Sequence, residues 1–302
     1  MKPCVFIHTN HKQYLGAVVS MHSMRRNSRH ADGFDVQLIE YERHRDLFAR
    51  YEGRKYSRDG DQRVWDPEDL QSFTPLRFMP PELMGYQGRA VVVDPDVFAV
   101  QDVWELLSRD MQGKAIMCRQ RGTPPHFASS VMLLDCAKLT HWKLEQDFDA
   151  LFTGAREYKT WMNLGYEDPA SIGLFEPEWN DFDRLTPSTK MIHNTRRKTQ
   201  PWKSGLPVDF IPAESNLLNP VMLLNRIRRK LFGEYAFLGN YKEHPDQRQT
   251  QLFFAYLKEC LANGLVSEAT VREHMAANHV RHDAFDVLGR TPPVEQVLAK
   301  AA

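Results

Sequence analysis

The sequence predicts an α/β protein: a mainly parallel sheet flanked by helices, with a helical C-terminal extension. Strand-like apolar runs alternate with helical patterns over the first two-thirds of the 302 residues, the order that a parallel sheet with packed helices requires. Two of those runs, Ala90–Val93 and Val131–Leu134, are short and apolar throughout, as in strands buried on both faces. After Pro207 the pattern turns helical.

Each element has its own local reason. Cys4–Ile7 is the first strand. His11–Met24 follows as a helix, with Tyr14, Leu15, Val18, Val19 and Met21 at helical spacing. Phe34–Ile39 alternates Phe34, Val36 and Leu38, a second strand. Arg43–Gln71 is rich in Arg, Asp and Glu and reads as a surface excursion. It carries helical turns near Arg45–Tyr51 and a turn at Asp59-Gly60-Asp61. Thr153–Arg184 holds Gly165, Pro169, Gly173 and Pro177 and reads as loops around a site. Asn219-Pro220 opens a helix through about Phe232, with Pro at the first helical position. Gln247–Ala262 and Ser267–Ala277 are further helices, the latter capped by Ser267 with Glu268 in its first turn. The chain is expected to divide into a catalytic part, 1–204, and an extension, 205–302.

Lys and Arg number 39, as do Asp and Glu, so the formal charge is zero. A nucleic-acid binder would be clearly basic, so no nucleic-acid partner is expected. Charged residues make up 26% and hydrophobic ones 42%, which excludes wholesale disorder and a polytopic membrane protein. Cys4, Cys118, Cys136 and Cys260 are scattered with no CxxC pair and read as free thiols in a reducing compartment. The apolar run after Met1-Lys2-Pro3 is too short for a leader or anchor. A cytoplasmic protein is expected.

The most informative segment is Arg89-Ala90-Val91-Val92-Val93-Asp94-Pro95-Asp96. An apolar strand ends in two carboxylates spaced i and i+2. In extended chain both point the same way and can share a cation. Ligands of open α/β sheets bind at this end of the strands. The same residues also suit a polar turn punctuated by Pro95.

Three other segments in chain order give the pair a context. Phe6-Ile7-His8-Thr9-Asn10 runs on to Tyr14; Phe127-Ala128-Ser129-Ser130-Val131-Met132 leads into Leu133; Met191-Ile192-His193 is followed by Pro201-Trp202-Lys203. With Asp94-Pro95-Asp96 these resemble the Thr-Asn-x-x-Tyr, Asp-x-Asp, Phe-Asn-Ser-Gly-Val-Met and His…Lys-Pro-Trp segments of glycosyltransferase family 8, the glycogenin-like and lipopolysaccharide galactosyltransferase-like enzymes. The likeness covers about residues 3 to 204.

The resemblance implies a GT-A-like (Rossmann-like) fold and a retaining transferase that moves a hexose-type sugar from a UDP-linked donor to an acceptor hydroxyl. The acceptor class stays open among saccharide, lipid-linked glycan and protein. The cofactor implied is Mn²⁺, with Mg²⁺ as the alternative, on Asp94, Asp96 and His193. By position, His8, Thr9, Asn10 and Tyr14 would line the nucleoside pocket. Arg77, Pro95, Ser129, Ser130, Lys198, Trp202 and Lys203 would line the rest of the donor site. The family Asn and Gly are Ala128 and Ser130 here, and the Lys before Pro-Trp is Gln200. The family's Asp-Gln-x-x-Leu-Asn segment falls on Phe175-Glu176-Pro177-Glu178-Trp179-Asn180. Glu176 or Glu178 could there stabilise an oxocarbenium-like transition state or act as nucleophile. Two other readings accompany this one: a nucleotide-sugar-binding protein without turnover, and a sugar-nucleotide-forming nucleotidyltransferase. A Gly-rich basic loop after the first strand, which the last would need, is missing. Leu223, Leu224, Ile227, Leu231 and Phe232 form an apolar stripe beside Arg226, Arg228, Arg229 and Lys230. That helix either packs on the protein or meets the inner membrane face.

Overall fold

A computed structural model describes residues 1–122, 126–210, 224, 227, 228 and 238–299. The chain forms two compact units, one from Met1 to Asn194 and one beginning at Thr195.

The first unit runs β1 (Cys4–Thr9), α1 (Tyr14–Arg26), β2 (Asp35–Glu40), α2 (Arg45–Ala49), β3 (Lys55–Arg58), β4 (Asp61–Val64), α3 (Pro80–Leu83), β5 (Arg89–Val93), β6 (Val97–Ala99), α4 (Trp104–Leu107), β7 (Ile116–Gln120), β8 (Phe127–Asp135), α5 (Leu144–Thr153), α6 (Tyr158–Met162), β9 (Ile172–Leu174), β10 (Asp181–Phe182) and β11 (Met191–His193), with short 3₁₀ turns between them. Six strands form one sheet in the order β2-β1-β5-β8-β7-β9. All its pairs are parallel except those of β8, which runs against both neighbours. The mixed α/β class with a mainly parallel central sheet is therefore as the sequence predicts.

The apolar run explains the centre of this sheet. Ala90, Val91, Val92 and Val93 are all 0% exposed, between β1 and β8. Each such valine contributes roughly 1.5–3 kcal/mol by burial. A strand buried on both faces has no place for a carboxylate, so Asp94 comes where the chain leaves the sheet.

A second, three-stranded sheet has the order β10-β11-β6. β6 lies antiparallel to β11, with Val97 opposite His193, and β10 is parallel to β11, with Phe182 opposite His193. Helix α1 fastens β6 from behind. Ser20 Oγ donates to the Val97 carbonyl at 2.6 Å, and the Ala99 N–H donates to Ser23 Oγ at 2.9 Å.

The segment 43–71 differs from its expected role. The turn at Asp59-Gly60 is present, with φ of 60° and 80°, and it joins β3 to β4 as a left-handed two-residue hairpin turn does. Yet Phe48, Tyr51, Tyr56 and Trp65 are buried. Phe48 meets Phe148 of α5 edge-on at 4.8 Å, and Tyr51 stacks on Phe152 at 4.4 Å. The charged residues cover the outside of an aromatic layer.

In the second unit, helices span Gln247–Ala262, Glu268–Ala276, Ala284–Arg290 and Val294–Ala299. The first buries Leu252, Phe253, Phe254, Tyr256 and Leu257. Ser267 caps the second as expected, its Oγ accepting from the Thr270 N–H at 3.0 Å. The helix expected over 219–232 lies outside the described residues, apart from Leu224, Ile227 and Arg228, which are helical and exposed. No helix among the described residues is long and apolar enough to cross a membrane.

Candidate metal and donor site

Asp94 stays in the ladder through its N–H, which donates to the Ser130 carbonyl at 2.9 Å, while its own carbonyl accepts from the Val97 N–H at 3.2 Å. Asp94-Pro95-Asp96-Val97 is therefore a β-turn with proline at its second position, where a fixed φ is suited. The two carboxylates come together through this turn, not along an extended strand, because Pro95 has no N–H to continue pairing. The turn sends the chain into β6, whose partner β11 ends at His193. Just beyond, the Asn194 N–H donates to the Asp96 carbonyl at 3.1 Å. One ligand atom each from Asp94, Asp96 and His193 then lie within 4.8 Å of one another. Residues nearly a hundred positions apart in sequence thus form one cluster. His193 Nε2 is 3.3 Å from Asp96 Oδ1.

Positive groups bracket Asp94. Arg77 Nη2 donates to both carboxylate oxygens, at 2.8 and 3.1 Å, and Nη1 donates to Ser129 Oγ at 2.5 Å. Ser129 Oγ in turn donates to the Met162 carbonyl at 2.5 Å. His8 Nε2 lies 3.0 Å from Asp94 Oδ1. Burial pushes the Asp94 carboxyl up, but Arg77 foremost, with His8, outweighs it and holds the pKa at about 2. Burial lowers the His8 pKa more than Asp94 raises it. Burial likewise depresses His193, but Asp96 and then Asp94 outweigh it, and its pKa is raised. The two carboxylates favour a cation at this imidazole.

Other residues named from the sequence fall in several places. Thr9 and Asn10 are buried at the end of β1. Asn10 Oδ1 accepts from the Gln13 N–H at 3.2 Å and so caps the turn that leads into α1, where Tyr14 is half-buried at the first position. Ser130 is buried beside Asn180. Glu176 is exposed and pairs with Arg109 at 2.5 Å. Glu178 is half-buried, and its carbonyl accepts from the Lys190 N–H. Lys198, Trp202 and Lys203 belong to the second unit. There Trp202 stacks on Phe253 at 4.8 Å, Lys203 is fully buried with Nζ 2.5 Å from Asp209 Oδ2, and the Lys198 carbonyl accepts from the Lys242 N–H.

Two residues beside the cluster carry no role in the sequence motifs. Asn180 is 0% exposed, with Oδ1 2.9 Å from His193 Nδ1. Its signal was present as the last residue of the segment containing Glu176. Arg119 Nη1 donates to the Asn180 carbonyl at 2.5 Å, and its guanidinium lies over the Phe182 ring at 4.0 Å. The register of β7 on β8 shifts between Cys118 and Arg119, an irregularity of the kind that re-aims a side chain.

The donors suit a hard divalent cation: two carboxylates and one imidazole, within reach of a common centre. The soft alternative is closed. Cys4, Cys118, Cys136 and Cys260 are free and buried, burial pushes each thiol up to about 12, and none belongs to the cluster. The mixed α/β sheet thus carries a carboxylate–imidazole cluster where β5 leaves it.

No protein-family model matches the chain, and no curated protein matches it. Among solved structures, it is similar to the glycosyltransferase GlyE of Streptococcus pneumoniae, at 14% identity over 88% of this chain and 64% of that one, with a TM-score of 0.47. It is similar to the galactosyltransferase LgtC, described in complex with donor and acceptor sugar analogs, at 12% identity over 66% of this chain and 89% of that one, TM-score 0.46. It is also similar to the bifunctional glycosyltransferase WbbM, at 14% identity over 66% of this chain and 46% of that one, TM-score 0.48. The chain spans less than two-thirds of the length of GlyE.

Proposed function

We propose that this protein is a metal-dependent retaining glycosyltransferase that moves a hexose-type sugar from a UDP-linked donor to an acceptor hydroxyl. The observation that carries the reading is the convergence of Asp94, Asp96 and His193, with the motif order described above. These three residues would hold Mn²⁺, or Mg²⁺ in its place, which would supply charge against the donor diphosphate.

The chain's own residues do the rest. His8, Thr9, Asn10 and Tyr14 line the nucleoside side, and Pro95, Ser129 and Ser130 line the sugar side; Lys203, fully buried on Asp209, is spent on that pair. Arg77 neutralises Asp94, so the cluster carries less negative charge toward an incoming diphosphate. In the transfer the anomeric carbon–phosphate oxygen bond breaks, the acceptor oxygen bonds to that carbon from the same face, and the acceptor proton passes to the departing phosphate oxygen. Of the two acids expected there, Glu178 would face the developing positive charge, since Arg109 holds the exposed Glu176.

The test is incubation with a panel of UDP-sugars and Mn²⁺, with and without a chelator. Metal-dependent UDP release, abolished in Asp96→Ala, is expected. Pyrophosphate released from UTP and a sugar phosphate would point to a nucleotidyltransferase. One observation favours a binding protein without turnover: Asp94 already accepts from Arg77 through both oxygens. Binding of UDP-sugar with no UDP release would decide for that reading.

A further inference from the structure

We propose that Asn180 is a positioning residue for His193, setting the imidazole tautomer that leaves Nε2 open to a cation. The inference rests on the metal reading above for its consequence, though not for its geometry.

Asn180 and His193 are both buried, and the ring nitrogen Nδ1 is 2.9 Å from Asn180 Oδ1. At its other end the amide Nδ2 donates to Ser130 Oγ at 3.0 Å. With the amide oxygen facing the ring, Nδ1 carries the proton and donates. A neutral imidazole has one proton, so Nε2 keeps its lone pair. Nε2 is the nitrogen that faces Asp96 Oδ1, at 3.3 Å. Lone pair and carboxylate then converge on one point, an arrangement that draws a cation. The opposite tautomer would put a proton between them and leave no lone pair for a metal.

The support is rigid. Arg119 fixes the Asn180 backbone through its carbonyl and covers Phe182, the ladder partner of His193. The Phe182 ring meets His193 edge-on at 5.6 Å, so the imidazole is held by packing as well as by its hydrogen bond. Partners of this kind fix ligand orientation and raise ligand basicity, and their loss costs about 10–100-fold in metal affinity.

The test uses the full chain, with Asn180→Leu to remove the acceptor and Asn180→Asp to keep one. Ring ¹H–¹⁵N spectra of the metal-free protein at about pH 9, where an ordinary imidazole is neutral, report the tautomer. Titration with Mn²⁺ alone, followed by electron paramagnetic resonance, reports affinity. The wild type and Asn180→Asp are expected to show the Nδ1–H tautomer. Asn180→Leu is expected to lose that preference and to bind Mn²⁺ about 10–100-fold more weakly, with the wild-type thermal midpoint as the check on folding. An Nε2–H tautomer in the wild type overturns the proposal, as does Asn180→Leu with unchanged tautomer and affinity. If Asn180→Leu does not fold, the tautomer in the wild type and Asn180→Asp decides. If the wild type has the Nδ1–H tautomer but binds no Mn²⁺, the metal reading falls while the positioning role stands.

Discussion

Replacing Arg77 by Met separates what the guanidinium does for the fold from what it does to the cluster. Its side chain is 9% exposed, and it donates to both oxygens of Asp94. Those contacts, with His8, take the Asp94 pKa from 3.8 to about 2, a shift worth on the order of 2 kcal/mol at neutral pH. A depressed carboxylate contributes fully above its unfolded pKa and loses that contribution as pH falls through its folded one. The cost of Arg77→Met is thus expected to be steady from pH 7 to about 4 and to shrink toward pH 3. For a unit the size of Met1–Asn194 the midpoint falls by about 4–8 °C. Removing one positive charge beside Asp94 also removes a competitor for any divalent ion, so Mn²⁺ binds the variant more tightly than the wild type. Urea unfolding against pH, with Mn²⁺ titration of the same samples, measures both. Unchanged stability, or weaker Mn²⁺ binding in the variant, refutes the reasoning.

Asp209→Asn is expected to destabilise the second unit by about 3 kcal/mol in urea, because it removes the carboxylate 2.5 Å from the fully buried Lys203 ammonium; a loss under 1 kcal/mol would mean that the pair is worth no more than a surface one. Asp283, paired with Arg281, and Asp246, raised by burial but more strongly lowered by Arg248, both sit below their usual 3.8. Their contribution is complete above that value and declines as pH drops below it, so the urea midpoint should fall in acid, and less steeply in Arg281→Met. Glu176 holds Arg109 from an exposed position. Glu176→Gln is expected to leave UDP release within about threefold, whereas a loss of 10²-fold or more would place its carboxylate at the reacting carbon.

What could be read from the sequence was local. The apolar run of β5, the acids after it, the Ser267 cap and the Asp59-Gly60 turn each depend on neighbouring residues, and all appear in the structure. The turn at Pro95 was one of two open readings, decided by where Val97 finds its hydrogen bond. Phe48, Tyr51, Tyr56 and Trp65 were hidden among charges because aromatic residues at irregular spacing produce neither period. β7, with Met117, Cys118 and Arg119 in a row, shows no alternation to read. Asn180 could not be assigned, since its partner depends on β10 pairing with β11. Arg77 was assigned to the donor, while the structure spends its guanidinium on Asp94 and Ser129.

The cluster is assembled before any ligand arrives, and that bears on its chemistry. Asp94 is fixed by its backbone bond to Ser130 and by Arg77. Asp96 is fixed through its carbonyl by Asn194, while β6 beyond it is held by Ser20 and Ser23 of α1. His193 is fixed by Asn180 and the strand pairing of β11. Asp94 and His193, each held by a side-chain hydrogen bond, have therefore already lost rotamer freedom during folding, at about 0.5–1.5 kcal/mol per side chain that binding need not spend again. The like charges of Asp94 and Asp96 oppose this assembly, and Arg77 is the counter-charge that makes it tolerable. Without Arg77 a turn of this kind would be more stable with its acids splayed into water, so the convergence of Asp94, Asp96 and His193 depends on that one guanidinium.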